Sequence, residues 1–542
     1  MRTEELRINR RTLMAVATAV TATGALGSTA FARQEGSATP VGSVIQPGDV
    51  IPPELANAAD TDWPVEGRTL AQDRSVKGSS ISSDTVNSLD IAWTFEVDTM
   101  GSYGAFAANP TISGDLLYLQ DTKSNVYALN RESGELAWSN RYDLDVPSGG
   151  PNGVSVGYGA VIYSTGNATV IAADKTTGKE LWSIDLTGLE GEGICMAPLI
   201  YDNRVWVSNC PASTLEGDLA GRRGVIFCLD ITDGHILWTF DTTTDNLWGN
   251  PTVNSGGGIW HPPAVDADGG VYYPVANVYP WVSQSGGPSG VSMEVNTDYA
   301  NNVLKIDTET GGLIWHTNIT GRDIFDLDNH LIALGTVKYD DGTSRELIFT
   351  SGKHGFVVAL DPEAGAEFWR TPVGTHRNAE RQSVAEGETL EVWPGTFGGV
   401  ETPFAYHDGV VYTAVFEVPT TYDSKGVSGG LSFDGAKGKL AALDGATGSI
   451  IWQVDAPSGL LAAATGVNDL VFTGGLDGVV RAYHTADGSL VWSAQTAAGL
   501  NAPLAVSGDY VYVPSGGLLI PSDDTASPTP ESKAQLIAYK LS

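Results

Sequence analysis

Three carboxylates crowd one short stretch of this chain. Asp323, Asp326 and Asp328 all fall within GRDIFDLDNHLIAL (321–334). Like charges this close raise one another's pKa, so they persist either open to water or around a cation, for which carboxylate oxygens are good ligands. Lys353, 27 residues after Asp326, brings a positive charge in RELIFTSGKHGFVVALD (345–361). The insertion GGGIWHPPAVDADGGVYYPVANVYPW (256–281) offers an aromatic plate, Trp260, and an amide, Asn277. In CPASTLEGDLAGRRG (210–224), Glu216 and Asp218 are two further oxygen donors. Each residue also has an ordinary alternative: a solvated acidic turn, a core tryptophan, a turn asparagine, a lysine at a hairpin tip.

Other chemistries have less to stand on. The sequence has no HExxH and no GxSxG leading into a helix. A glycosidase needs two positioned carboxylates, and among 64 Asp and Glu the sequence excludes no pair. The three cysteines, 195, 210 and 228, allow one bridge and one free thiol; Cys195 and Cys210 are close enough in sequence to join nearby strands, which spacing alone leaves open. No CxxCH occurs, so electrons from any redox reaction are expected to leave to a separate acceptor, such as a cytochrome. With 30 Lys and Arg against 64 Asp and Glu, the net charge of −34 disfavours nucleic acid and anionic membranes as partners. The 42% hydrophobic content is enough for a large core.

A repeat supplies the elements that must position these residues. VYALNRESGELAWS (126–139) recurs as VIAADKTTGKELWS (170–183), VIFCLDITDGHILWTF (225–240), VLKIDTETGGLIWHT (303–317), VVALDPEAGAEFWRT (357–371), LAALDGATGSIIWQV (440–454) and VRAYHTADGSLVWSA (480–494). Apolar alternation on both sides of a turn ending in Gly predicts a β-hairpin, and the tryptophan after it can stack on the neighbouring unit. These tryptophans are 138, 182, 238, 315, 369, 452 and 492, with Trp93 an eighth. Their shortest spacings, 40 to 45 residues, match a four-stranded blade, and the longest, 83 residues from Trp369 to Trp452, must hold inserted loops. The expected fold is all-β, an eight-bladed β-propeller in which AQLIAYKL (534–541) completes the blade begun near Trp93. A solenoid, the alternative, leaves exposed ends that need caps.

Ahead of the repeat, Arg10 and Arg11 lead into a weakly apolar Ala/Thr/Gly stretch ending in Ala30-Phe31-Ala32. This reads as a twin-arginine export signal over 1–32, followed by a flexible segment over 33–70 and the propeller over 71–542. Export places the chain in the periplasm, on the cell surface or outside the cell. No apolar run of transmembrane length follows the signal.

The A-x-D-x-x-T-G-x-x-x-W units resemble the tryptophan-docking repeats of quinoprotein alcohol dehydrogenases, which use pyrroloquinoline quinone (PQQ) and a metal ion on the axis of an eight-bladed propeller. The resemblance implies Trp260 as the floor beneath the quinone. It implies Asp326 as the base that takes the alcohol proton, and Lys353 as the cation that stabilises the reduced quinone. It implies Asn277, Asp326, Asp328 and Glu216 as ligands of Ca²⁺ or, given Asp328, of a lanthanide ion. The substrate would be an alcohol, small or polymeric. The sequence also departs from the family: Arg322 and Phe325 replace a His and a Trp, and Glu401-Thr402 replaces Asn-Trp after Gly398-Gly399. Asn152 stands for an Arg that meets the quinone carboxylates, and the adjacent Cys pair is missing. The same scaffold also occurs in non-catalytic propellers, so an exported binding module is the alternative function.

Overall fold

The computed structural model describes the chain from Thr39 to Ser542, apart from residues 41–44, 59–61, 100–103, 146–147, 149, 187–192, 211–221, 244–254, 280–298, 322, 425, 434 and 518–533. The segment expected to be an export signal therefore lies outside the described residues, as does Glu216.

Antiparallel neighbours dominate the fold. Among the described residues, eight sheets contain four consecutive antiparallel strands each, and each carries one of the repeat tryptophans or Trp93. At all seven repeat turns the glycine amide returns to the carbonyl four residues earlier, as in Gly178 to Asp174 at 2.8 Å and Gly311 to Asp307 at 2.9 Å. The glycine φ is +67° to +78° at these turns, a conformation that L side chains resist. The same glycine faces the tryptophan of the preceding sheet: a Cβ on Gly311 would lie 2.5 Å from the Trp238 ring. The repeat motif thus needs its glycine twice, for the turn and for the joint.

Each joint is polar as well as apolar. The indole N–H of Trp138 donates to Lys175 O at 3.1 Å, that of Trp182 to Ile231 O at 2.9 Å, and that of Trp452 to Thr485 O at 2.8 Å, each into the next sheet. Trp492 differs: it packs edge-on against Tyr539 of the closing sheet, with centroids 5.6 Å apart. That closing sheet joins the two ends of the chain, since Leu89–Val97 pairs antiparallel with Ala534–Leu541. The expected completion by 534–541 is therefore the observed one. Arranging the sheets as a propeller leaves only short, protected edges.

Part of the stretch expected to be flexible is packed. Trp63 is fully buried and pairs through both backbone bonds with Ile112. From there the chain steps between inner strands: Pro64 O accepts from Val156, Leu70 O from Val265, Ala71 O from Leu334, Asp73 O from Tyr406 and Arg74 O from Gly466. This strap touches six of the sheets. The fully buried Arg74 guanidinium donates to Ala464 O, Glu66 O, Leu504 O and Thr465 Oγ1 at 2.8 to 3.1 Å. No helix among the described residues is long and apolar enough to cross a membrane.

Candidate active site

The acidic loop is built by its own first carboxylate. Asp323 accepts the backbone N–H groups of Phe325 at 2.8 Å and Leu327 at 2.5 Å, which folds the loop back on itself. Asp326 consequently adopts a left-handed φ of +64°, a strained position for a residue without a reason to be there. Phe325 anchors the loop from behind, 4.8 Å from the Tyr422 ring, and Tyr422 OH donates to Phe325 O at 2.7 Å.

The hairpin that follows brings in the lysine. Strands Asn329–Lys338 and Ser344–Gly352 pair with Asn329 opposite Gly352, so Asp328 and Lys353 emerge side by side. The two backbones are nearly in contact, since a Cβ on Gly352 would lie 2.0 Å from Asp328 O. Gly399, with φ +79°, comes as close to Lys353 O from the neighbouring loop. Asn277 is held from below by Gly257, whose N–H donates to Asn277 O at 2.7 Å, so the triple glycine at 256–258 has a packing reason.

These elements converge on one cluster. Lys353 Nζ lies 3.2 Å from Asp326 Oδ2, 2.7 Å from Asp328 Oδ2 and 4.4 Å from the centre of the Trp260 ring. Asn277 donates its side-chain amide to Asp326 Oδ1 and Asp323 Oδ2, both at 3.1 Å, and its backbone N–H to Asp328 Oδ1 at 2.9 Å. Thr396 donates its hydroxyl to Asp326 Oδ2. Five of the predicted site residues, Trp260, Asn277, Asp326, Asp328 and Lys353, are thus together. The sixth, Glu216, falls outside the described residues.

Burial and charge set the titration of this cluster. Burial pushes Asp326 up to about 7, with Lys353 opposing and Asp328 reinforcing the rise. Asp323 is raised to about 6 by burial, against its backbone hydrogen bonds. Burial works against the Lys353 ammonium, but Asp326, Asp328 and Glu401 outweigh it and hold the group well above the usual lysine range. A carboxylate poised near neutrality beside a fixed cation is suited to accept a proton.

Sequence reasoning passed over four contributors. Glu401 was noted only as a replacement, yet its carboxyl is pushed up to about 8 by burial and its Oε2 has no hydrogen-bond partner. The His330 ring lies tilted, 5.3 Å from that of Trp260, and bonds Glu401 O through Nε2 at 3.2 Å, while burial drives its pKa well below the usual histidine range. Thr396 and Phe397, whose ring lies 5.9 Å from Lys353 Nζ, complete the wall. The Gly398-Gly399 pair was the one available signal, because it marks where this loop meets Lys353. Asn152 is buried, accepting from Ser148 Oγ at 2.7 Å, and its Nδ2 has no partner.

The residues fit both groups that the resemblance implies. Asp326, Asp328 and Asn277 form an oxygen-rich set suited to a hard cation, with Asp328 Oδ2 in an ion pair 2.7 Å from Lys353 Nζ. Glu401 Oε2 is a further buried, unpartnered oxygen. Trp260 presents an aromatic face beneath a lysine cation, an environment for a planar anion.

Comparison with known proteins agrees. The family profile described as glucose/ethanol/alcohol dehydrogenase, β-propeller domain, matches residues 63–391, and that of outer membrane protein assembly factor BamB matches 353–525. Quinohemoprotein alcohol dehydrogenase ADH IIB of Pseudomonas putida is 25% identical over 72% of this chain and 61% of its own length. The quinohemoprotein alcohol dehydrogenase of Comamonas testosteroni is 26% identical over 63% of this chain and 50% of its own. The chain thus spans only half to three-fifths of these curated relatives. Putative dehydrogenase XoxF of Paracoccus denitrificans is 26% identical over 77% of this chain and 80% of its own. Among solved structures, the quinohemoprotein alcohol dehydrogenase ADHIIG of Pseudomonas putida HK5 superposes with a TM-score of 0.76 at 22% identity, covering 90% of this chain and 81% of that one. A europium-containing methanol dehydrogenase does so with 0.72 at 20% identity, covering 89% and 99%. The fold is therefore theirs, and the chain belongs to the β-propeller family of PQQ-dependent alcohol dehydrogenases.

Proposed function

We propose that this chain is an exported quinoprotein that oxidises an alcohol, with PQQ and a metal ion held at the Trp260–Lys353 cluster. The observation that carries this reading is the convergence of Trp260, Asn277, Asp326, Asp328 and Lys353 from three separate segments onto one buried point. Arg10-Arg11 and the Ala30-Phe31-Ala32 site support export.

The bound quinone supplies a two-electron acceptor for hydride, and the cation supplies Lewis acidity. The protein supplies the rest. Asp326 takes the hydroxyl proton on its carboxylate, and its raised pKa brings that proton affinity close to neutral pH. Lys353 keeps a permanent positive charge where negative charge develops on reduction. Trp260 gives the flat face that orients a planar ring, and Asn277, Asp326 and Asp328 hold Ca²⁺ or a lanthanide ion, with Glu216 an additional ligand. Electrons then pass to a separate acceptor such as a cytochrome. Relatives of the chain carry the names alcohol dehydrogenase and polyvinylalcohol dehydrogenase, which supports an alcohol, small or polymeric, as substrate.

Asn152 favours a second reading, because its buried amide stands where a carboxylate-binding arginine is expected. In that reading the propeller binds a partner without catalysis. Assay of the protein supplied with PQQ and Ca²⁺ or La³⁺ against an alcohol panel, with a reducible dye, separates the two. Alcohol-dependent dye reduction that falls about 10²–10⁴-fold in Asp326→Asn supports the enzyme. Dye reduction that is unchanged in that variant removes Asp326 from its role, and none with any alcohol favours the binding module.

A further inference from the structure

The two cysteines nearest in sequence are also nearest in space. They flank the inner hairpin of one sheet, formed by Leu199–Tyr201 and Arg204–Ser208 around Asp202 and Asn203, which both hold left-handed φ angles of +52° and +57°. The hairpin pairs Leu199 with Trp206, Ile200 with Val205 and Tyr201 with Arg204. Carried outward, that register would pair Cys195 with Cys210, but it slips by two residues at the base, where Gly193 is the backbone partner of Cys210. The base of the hairpin is closed there: Cys210 N–H donates to Gly193 O at 2.7 Å and Gly193 N–H to Cys210 O at 3.4 Å. Both cysteines are buried, and the Cys210 side chain is the first cause of the raised Cys195 thiol pKa. Cys195 lies two residues from Gly193, the partner of Cys210, and the two side chains are neighbours, as a disulfide requires. Cys228 is a poor competitor, since it sits mid-strand between Trp206 and Trp238.

The pair also has a meaningful place in the ring. Cys195 precedes its inner strand, which starts at Leu199, by the same four residues by which Trp260 precedes the strand Ala264–Val265. Cys210 follows the second strand of its sheet by two residues, as Lys353 follows Gly352 by one and Asn277 follows Pro274 by three. Equivalent positions of successive blades lie on one face of a propeller, so the cysteines are on the face that carries the candidate site.

We propose that Cys195 and Cys210 form a disulfide that staples the base of this hairpin on the site face of the ring. Two thiols lose two protons and two electrons as the S–S bond forms. The oxidant is itself a disulfide, either glutathione disulfide or the oxidised form of a dithiol oxidoreductase, whose S–S bond breaks to give two thiols. The Cys210 contact, then burial, hold the Cys195 thiol well above the usual range, which leaves little reactive thiolate in the folded chain. Exchange therefore takes place while the hairpin base is still open. Once formed, the bond fixes a junction between sheets: Cys195 O accepts the Asn152 N–H at 2.7 Å, and Gly150 packs so closely on Cys195 that a Cβ there would meet its Cβ at 2.1 Å.

Thiol mapping of the full chain tests this without reference to cofactor or activity. The protein is refolded with glutathione disulfide, then unfolded in iodoacetamide without reductant and digested. One alkylated cysteine, Cys228, and a reductant-sensitive link between the peptides bearing 195 and 210 are expected. Cys228→Ala should keep the link, and Cys210→Ala should leave two alkylated cysteines. Three alkylated cysteines, glutathione adducts on Cys195 or Cys210, or a link that includes Cys228 would overturn the proposal. If Cys210→Ala does not fold, the wild-type map still decides.

Discussion

Lys353 shows how one buried side chain can depend on the residues that surround it. Two carboxylates, at 2.7 and 3.2 Å, balance the charge of this buried ammonium. Replacing it with Met strands them, and breaking a buried pair in this way typically costs about 3–5 kcal/mol. Chemical denaturation should show that loss, and adding Asp328→Asn to the Met variant should recover part of it. His354, the next residue, carries a pH dependence. Its Nδ1 accepts the Phe356 N–H at 3.1 Å and its Nε2 faces Asn329 Oδ1 at 3.3 Å, so the ring is held neutral, and burial depresses it to about 3. Above pH 6.5 the ring is neutral in both the folded and unfolded chain. Below it only the unfolded chain takes up the proton, so this contribution is lost as pH falls from 6.5 toward 3, by up to about 1.4 kcal/mol per pH unit. Urea midpoints across that range should fall more steeply for the wild type than for His354→Asn. Equal slopes would remove the residue from the acid response.

The elements were legible in the sequence wherever they repeat. Seven turns with a glycine and a following tryptophan announce seven hairpins, and the joints between sheets are those same residues seen from the next unit. Asp326, Lys353, Asn277 and Trp260 were readable because each sits in an insertion that breaks the repeat. Glu401 and Thr396 were not, since they reach the site from a loop whose approach depends on how one sheet docks on another, and His330 carries no motif of its own. The strap at 63–74 was hidden for a similar reason: its bonds run from backbone carbonyls, which any residue supplies. Two substitutions test these elements. Gly311→Ala places a methyl group 2.5 Å from the Trp238 ring at φ +70° and should destabilise by roughly 2–4 kcal/mol, read from thermal or urea unfolding. Arg74→Met leaves three backbone carbonyls and a hydroxyl without their buried donor and should cost at least as much. A variant as stable as the wild type would show that the strap is dispensable.

At the scale of the whole molecule, closure joins an early strand, Leu89–Val97, to the last, Ala534–Leu541. Deleting 534–541 exposes two edges and removes the Tyr539 contact of Trp492. The truncated chain should elute as aggregate in size exclusion, and a monomeric, cooperatively melting product would contradict closure by that strand. Against the chain's large negative charge, a small acidic cluster is drawn inward around Lys353. The central claim is that this cluster holds a quinone and a cation together. Titration of the metal-free protein with PQQ, with and without Ca²⁺ or La³⁺, followed by the quinone absorbance, tests it most directly. The account predicts saturable binding of one PQQ per chain that requires the metal and is weakened in Asp328→Asn. Absence of binding even with excess metal would contradict it.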